Sequence, residues 1–208
     1  MAGGRVPSAQ AAPQEAFWAW FVQNTDFLKQ YDTNREPVLD EIGRRLHEVH
    51  EGLTFEIGQA SDGVFDFIIS ADGIQEVFPE VVRLTKAAPR IEGWRIISFR
   101  PRAVDGGKQK LEYGGLTLSY SDLRYRSEDQ GEKLGLTLFV RGLSEENETT
   151  LRVAAYLLLD TALGEYDVET RIGSIDLAPL PEDAETSELT PFKDLAAEVD
   201  CRFPSTAQ

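Results

Sequence analysis

The sequence predicts an α+β protein with a mainly antiparallel sheet of about six strands, helices packed on one face of the sheet, and two helices at the N-terminus. Three observations favour this class. Apolar residues in the first fifty positions recur with the helical period, whereas those of the following segments alternate with polar residues as half-buried strands do. The later helices separate groups of strands without the regular strand–helix alternation of a doubly wound parallel sheet.

Four helices are predicted in the body of the chain. The first covers Gln14–Tyr31 and the second carries Val38–Val49, because their aromatic and aliphatic residues fall at helical offsets. Asp72, with a glutamine three residues later, has the pattern of a capping box that opens the third helix. The fourth ends at Gly164. Its centre, Val153–Leu159, is apolar around most of the circumference, which predicts the most buried helix of the chain.

The strands are predicted from alternation and from the turn residues between them. The glycine-containing segment 58–63 is expected to join the first two strands as a hairpin. The strands are expected at Leu53–Ile57, Val64–Ile69, Trp94–Phe99, Leu116–Tyr125, Leu134–Val140 and Val168–Leu177, with a further short one near Gln109–Tyr113.

A single domain is predicted over residues 14–180, because 208 residues suffice for one large core and no repeat of fixed period is present. Residues 1–13 are expected to form a disordered tail, since they are rich in small residues and proline. Residues 181–208 are expected to form an acidic linker and a short C-terminal helix that docks on the domain. The N-terminal residues lack the apolar block of a secretory signal, which favours a cytoplasmic protein.

The composition disfavours several classes of function. Lys and Arg number 21 against 36 Asp and Glu, a net charge of −15, so binding to nucleic acid or to an anionic membrane is not expected. No apolar run approaches the roughly 20 residues of a membrane span. One cysteine and two histidines provide little material for a disulfide or a metal centre.

No catalytic motif is recognisable in the sequence. His47 and His50 are three residues apart, whereas the zinc-protease helix motif places its histidines four apart. Glu56 and Asp66 are acids within apolar strands, but acids are too numerous for such a pair to be diagnostic. Gly-rich phosphate loops and a nucleophile elbow do not occur. We therefore predict no catalytic residues, no metal and no cofactor, and an enzyme is the less favoured class.

Positive charge is concentrated in one part of this acidic chain. The segment from Arg90 to Arg126 contains eight basic and four acidic residues. Two arginines lie at the end of one predicted strand. The alternation of side chains places an aspartate and two more arginines on one side of another predicted strand. If these strands are neighbours, the side chains converge on an anion site or a partner contact. The alternative is a ladder of cross-strand ion pairs with acids from elsewhere. The predicted binding residues are Arg100, Arg102, Asp122, Arg124 and Arg126.

Aromatic residues suggest a second kind of surface. Trp20 lies on the apolar stripe of the first helix and is expected in the core, whereas Trp18 points away from it. An outward tryptophan is either a lone surface residue or a binding hot spot, so Trp18 is also a candidate binding residue. One face of the predicted sheet is rich in hydroxyl side chains and includes Phe139. It is either a solvated face or a docking surface for a second copy or a partner.

Four blocks of the sequence resemble those of a family of uncharacterised bacterial proteins. They are Phe17–Phe21, Ile68–Ile74, Ser98–Arg102 and Leu157–Gly173. The resemblance implies a bacterial, cytoplasmic protein, and it brings no activity and no catalytic residue with it.

These observations favour a non-catalytic, acidic interaction protein, such as an inhibitor or an immunity-type protein of a basic partner. The alternative is a protein that binds a small molecule or an anion, or a hydrolase, through the arginine and aspartate cluster. Self-association through the open sheet face is compatible with either hypothesis.

Overall fold

The computed structural model describes residues 12–59, 63–103, 110–182 and 188–204. Most of the expected N-terminal tail, residues 1–11, and the centre of the expected acidic linker, residues 183–187, lie outside the described residues. Contacts divide the chain into two compact units, residues 1–98 (unit 1) and 99–208 (unit 2). The single domain over residues 14–180 stays a prediction. Helices and strands occur in both units, as the predicted mixed class requires.

The described part of unit 1 contains four helices and three strands. The helices are α1 (Pro13–Gln23), α2 (Thr25–Leu28), α3 (Arg35–His47) and α4 (Phe78–Lys86), and the strands are β1 (Thr54–Gln59), β2 (Phe65–Ser70) and β3 (Trp94–Ser98). Strands β1 and β2 form the predicted antiparallel hairpin, with Thr54 opposite Ser70. Strand β3 pairs with β2 in parallel, and α4 forms the crossover between them.

The predicted first helix, Gln14–Tyr31, is broken at Asn24. The side-chain amide of Asn24 donates a hydrogen bond to the carbonyl of Trp20 at 2.7 Å, and its backbone N–H contacts the carbonyls of Trp20 and Phe21. Asparagine competes in this way with the helical hydrogen-bond pattern. The chain then continues through α2 and a short 3-10 turn, Lys29–Asp32, in place of one long helix.

Helix α4 does not begin at the predicted capping box. Asp72 has a φ of +48°, and its backbone N–H donates to the hydroxyl of Ser70 at 3.0 Å, so it belongs to a turn that follows β2. A 3-10 turn over Gln75–Val77 leads into α4, and Pro79 occupies the first turn of that helix. Proline fits there because the first N–H groups of a helix have no partner within it.

The core of unit 1 is aromatic. Phe17, Phe21 and Phe67 are buried, and Phe21 meets Trp94 nearly edge-on, with 5.0 Å between ring centres. Such edge-to-face pairs add about 0.5–1.5 kcal/mol to the free energy gained from burial.

The described part of unit 2 contains three helices and six strands. They are β4 (Lys110–Tyr113), β5 (Leu116–Ser119), β6 (Leu123–Asp129), β7 (Leu134–Val140), α5 (Glu148–Leu163), α6 (Glu165–Arg171), β8 (Ile172–Pro179), β9 (Thr190–Pro191) and α7 (Leu195–Arg202). Strands β4 and β5 form a separate hairpin, and the other four form a sheet in the order β8-β7-β6-β9.

The predicted sheet of about six strands is wrong for the described strands, which lie in three smaller sheets. Antiparallel pairs outnumber parallel ones, but each unit also contains a β–α–β crossover. Strands β6 and β7 form a hairpin, α5 and α6 follow, and β8 returns in parallel beside β7, as β1, β2, α4 and β3 do in unit 1. A helix between two neighbouring strands is the connection that parallel pairing needs.

The core of unit 2 lies between one face of its four-stranded sheet and the three helices. Leu138 of β7, Leu158 of α5, Val168 of α6 and Val199 of α7 are all buried in it. Helices therefore pack on one face of this sheet, as the alternation of β6 and β7 predicts. Among the residues that the structure describes, no helix has the length and apolar character to cross a membrane.

Candidate functional site

The orientation predicted for the two N-terminal tryptophans is wrong. Trp18 is 3% exposed, and its indole N–H donates to the buried carbonyl of Leu84 at 2.8 Å. Trp20 is half-buried, with the guanidinium of Arg45 at 5.4 Å from its ring centre. The prediction assumed that one apolar side of a single helix continues as far as Tyr31. Helix α1 ends at Gln23, so residues beyond it do not indicate which side of α1 faces the core. In this position Trp18 is part of the core rather than an exposed binding residue.

The predicted arginine cluster does not assemble around adjacent strands. Strand β3, which Arg100 and Arg102 follow, pairs with β2, whereas β6 pairs with β7 and β9. The predicted convergence of these side chains required the two strands to be neighbours, and β3 and β6 are not paired with each other. The five predicted residues fall in four separate settings, and each setting has its own partners.

Arg102 is held by side chains from two helices. Its guanidinium donates to Asp167 of α6 at 2.6 Å, to Asp200 of α7 at 2.9 Å, and to the carbonyl of Leu163 at 2.9 Å. Hydrogen bonding to Asp200 first, and to Asp167 as well, raises the pKa of Arg102. The acids that bind this residue belong to two helices rather than to neighbouring strands, so a ladder of cross-strand ion pairs does not describe Arg102. A guanidinium occupied in this way has little capacity left for a ligand.

Arg100 lies at the junction of α5 and α6. Its backbone N–H donates to the carboxylate of Glu165 at 3.1 Å, and its carbonyl accepts from the N–H of the same residue at 3.0 Å. The Glu165 side chain is buried, and Phe99 lies 5.2 Å from the exposed ring of Tyr166. Gly164 permits this approach, because a Cβ there would lie 2.9 Å from the carbonyl oxygen of Arg100.

One carboxyl at this junction has an unusual pKa. Burial raises the pKa of Asp160 to about 6, and the positive charge of Arg100 only partly offsets it, while Glu169 and Glu165 add to the rise. A carboxyl that titrates near neutral pH is the type of group used in acid–base chemistry. A shifted pKa alone does not assign a catalytic role to Asp160.

Asp122 occupies a turn rather than the middle of a strand. The predicted strand Leu116–Tyr125 is interrupted by a 3-10 turn in which the carboxylate of Asp122 accepts from the hydroxyl and the N–H of Ser119. It also lies 3.3 Å from Arg141. These two residues line an open pocket of about 210 Å³ with Leu116, Asn147 and others. Typical ligand pockets have volumes of roughly 300–1,000 Å³, so the pocket gives little support to a small-molecule site.

Arg124 and Arg126 are the two predicted residues that the structure keeps together. Both lie on the face of the sheet that points away from the helices. Arg124 is paired across the strands with Phe139 of β7 and Pro191 of β9. The guanidinium of Arg126 lies 5.6 Å from the ring centre of Phe139, a cation–π distance. Phe139 thus has a partner within its own sheet, and a docking role for this face stays a prediction.

The remaining chemical candidates have structural roles. The imidazole of His50 accepts a hydrogen bond from the N–H of Gly52 at 3.1 Å, and Asp66 forms a bidentate ion pair with Arg95 at 2.6 and 3.0 Å. Within the part of the chain that the structure describes, no group of three or more metal-ligating side chains comes together.

Helix α5 presents the surface that the sequence analysis missed. Its apolar centre predicted the most buried helix, and its six buried residues are more than any other described helix has, yet the side chains of Tyr156 and Leu157 are 36% and 40% exposed and Val153 is half-buried. These three residues, named here the α5 stripe, share one side of the helix because they are three and four positions apart. The apolar run around most of the circumference was the available signal, since a helix that contacts a sheet on one side leaves its other side to solvent.

Two of the resembling sequence blocks meet in unit 2. Residues 99–102 of one block contact residues 163–167 of the other through the pairs already described. No protein-family model matches the chain, and no curated protein or solved structure is similar to it at a significant level. Membership of a bacterial family stays a prediction.

Proposed function

We propose that this protein is a non-catalytic interaction protein that binds a basic partner protein through the α5 stripe, as an inhibitor or an immunity-type protein does. The observation that carries the proposal is the adjacent exposure of Tyr156 and Leu157 on a helix whose other side is buried in the core. Tyrosine is among the residues most enriched at binding hot spots, where truncation to alanine costs about 2 kcal/mol or more.

The charge of unit 2 supports a basic partner. This half of the chain has 21 acidic and 12 basic residues. Several of its arginines are paired with its own carboxylates: Arg102, Arg141, Arg152, Arg171 and Arg202. The excess charge that an approaching protein meets is therefore negative. Such a field accelerates association with a basic protein and weakens as salt is added.

The test is capture from the source-cell lysate with three immobilised baits. The first is the wild-type chain, and the second carries Tyr156→Ala and Leu157→Ser. The third carries Val22→Ser and Ile74→Ser, which remove two apolar side chains of similar exposure, 47% and 48%, from unit 1. Each capture is run at about 0.1 M and about 0.5 M salt, because exposed charges are screened beyond roughly 10 Å at the lower value.

We expect one basic protein to be retained by the wild type and by the unit 1 variant, and to be lost from the α5 variant. Retention should also fall at the higher salt concentration. Equal retention by all three baits, or retention that does not change with salt, would contradict the proposal. Circular dichroism of each bait verifies that the variants are folded.

A further inference from the structure

The outer edge of β8 is unpaired in the described part of the chain. Strand β8 lies at the end of the four-stranded sheet, and its ladder is formed with β7 alone. It extends over eight residues, Ile172–Pro179. An unpaired strand edge presents a row of N–H and C=O groups on which an additional strand can form.

The pairing of β8 with β7 determines which of its backbone groups face outward. The N–H of Leu180 donates to the carbonyl of Val140 at 3.0 Å, just beyond the last paired residues. Along a strand, the N–H and C=O groups of successive residues point alternately to the two edges. Because the N–H of Leu180 points towards β7, the backbone groups of Ile175 and Leu177 point to the outer edge. The hydroxyl of Tyr156 donates a long hydrogen bond of 3.5 Å to the carbonyl oxygen of Ile175, which is consistent with this direction, and an added strand would replace this contact.

The two sides of this edge differ in chemistry. The side chains of Ile175 and Leu177 pack against the core of unit 2, and the hydroxyl of Tyr156 of the α5 stripe lies at the backbone carbonyl of Ile175. On the opposite side Ser174 and Asp176 are exposed. A strand added here would have apolar side chains on the helix side and polar or charged side chains beside Asp176, because side chains alternate along a strand.

We infer that the β8 edge binds an extended segment of the basic partner as an added strand, with lysine or arginine beside Asp176. This inference rests on the proposed function and names the strand edge to which the partner would bind. Charge favours such a segment over a second copy of the chain. Two copies each carry −15, and antiparallel pairing of two β8 edges would bring their Asp176 carboxylates towards each other.

The probe is an amidated and acetylated octapeptide in which lysine and valine alternate, so that it presents valines to the helix side and lysines to Asp176. Backbone amide exchange of the full-length protein, measured by NMR with and without the peptide, reports where the peptide binds. The amides of Ile175 and Leu177 should exchange at least tenfold more slowly when the peptide is saturating. A peptide N-methylated at every residue has no backbone N–H on either edge, so it cannot form the ladder and should give no protection.

Charge reversal tests the side-chain part of the inference. Asp176→Lys should weaken binding of the lysine peptide about tenfold and should permit binding of the corresponding glutamate–valine peptide. Glu128→Lys, the same change of charge at an exposed position on β6, is the matched control and should leave the affinity within about twofold. Circular dichroism verifies that both variants are folded.

Failure of this inference can be distinguished from failure of the proposed function. No binding of the lysine peptide at millimolar concentration, protection at other strands, or equal effects of the two charge reversals would overturn strand addition at β8. If a basic protein is nevertheless captured and lost from the α5 variant, the proposed function stands and only the mode of binding is wrong. If no basic protein is captured, the proposed function fails whatever the peptide does.

Discussion

Neutralising Asp160 should stabilise the protein above neutral pH. Burial raises the pKa of this carboxyl from 3.8 to about 6, so above pH 6 the folded chain holds an ionised group that is more favourable in the unfolded chain. A difference of about two pH units corresponds to about 3 kcal/mol. The side chain is only half-buried and Arg100 attracts its charge, so solvent screening reduces the expected gain of Asp160→Asn to about 1–2 kcal/mol.

The gain must depend on pH in a defined direction. Below about pH 4 both the folded and the unfolded chain bind the proton, so Asp160→Asn should change the free energy of unfolding little. Between pH 4 and pH 6 the folded chain binds more protons than the unfolded chain. The contribution of Asp160 to stability is therefore lost as pH rises through this range. The difference between the variant and the wild type should grow over the same interval and be constant above it.

The assay is urea unfolding followed by circular dichroism at pH 4, 5, 6, 7 and 8. All three tryptophans lie in unit 1, so tryptophan fluorescence alone does not follow unfolding of the unit that contains Asp160. Glu146→Gln removes an exposed carboxylate just before α5 and is the matched control. A variant that is less stable than the wild type at pH 8, or a gain that is equal at pH 4 and pH 8, would refute the reasoning.

Two further predictions concern stability and use matched pairs of substitutions, each measured by urea unfolding. Trp18→Phe leaves a buried backbone carbonyl of α4 without its donor and should lower the free energy of unfolding by about 1–3 kcal/mol. Trp20→Phe should lower it by less than about 1 kcal/mol. Equal losses of stability would contradict the orientation of α1. Gly164→Ala should cost about 1–3 kcal/mol more than Gly142→Ala, because both glycines have a positive φ but only the Cβ at Gly164 would meet backbone at 2.9 Å. Equal effects would show that the close approach at Gly164 does not constrain the chain.

The sequence predicted local structure well wherever one periodicity persists to the end of an element. Strand β7 was predicted at its observed bounds, Leu134–Val140, because strict alternation is a property of the strand itself. Predictions failed where polar side chains bind the backbone of their neighbours. Asn24 divides the first helix, and Asp122 folds the chain into a turn through Ser119, although the apolar pattern continues across both positions.

The candidate surfaces depended on contacts that periodicity does not report. The apolar run in α5 identified a helix with apolar side chains on every side, but only packing against the sheet decided that Tyr156 and Leu157 would be exposed. The parallel position of β8 likewise follows from the crossover of α5 and α6. The helices between strands could have indicated it, since neighbouring strands joined through a helix are usually parallel.

The sequence by itself determined the mixed class of the fold, most of its helices and strands, and the net charge of −15. Only the tertiary structure decided which elements are neighbours and which side chains are therefore occupied. Arg102 is bound by Asp200, 98 positions further along the chain, rather than joining Arg124 and Arg126. The physical reason is that periodicity fixes the direction of a side chain relative to its own helix or strand. Its partner depends on how distant elements pack to bury their apolar faces.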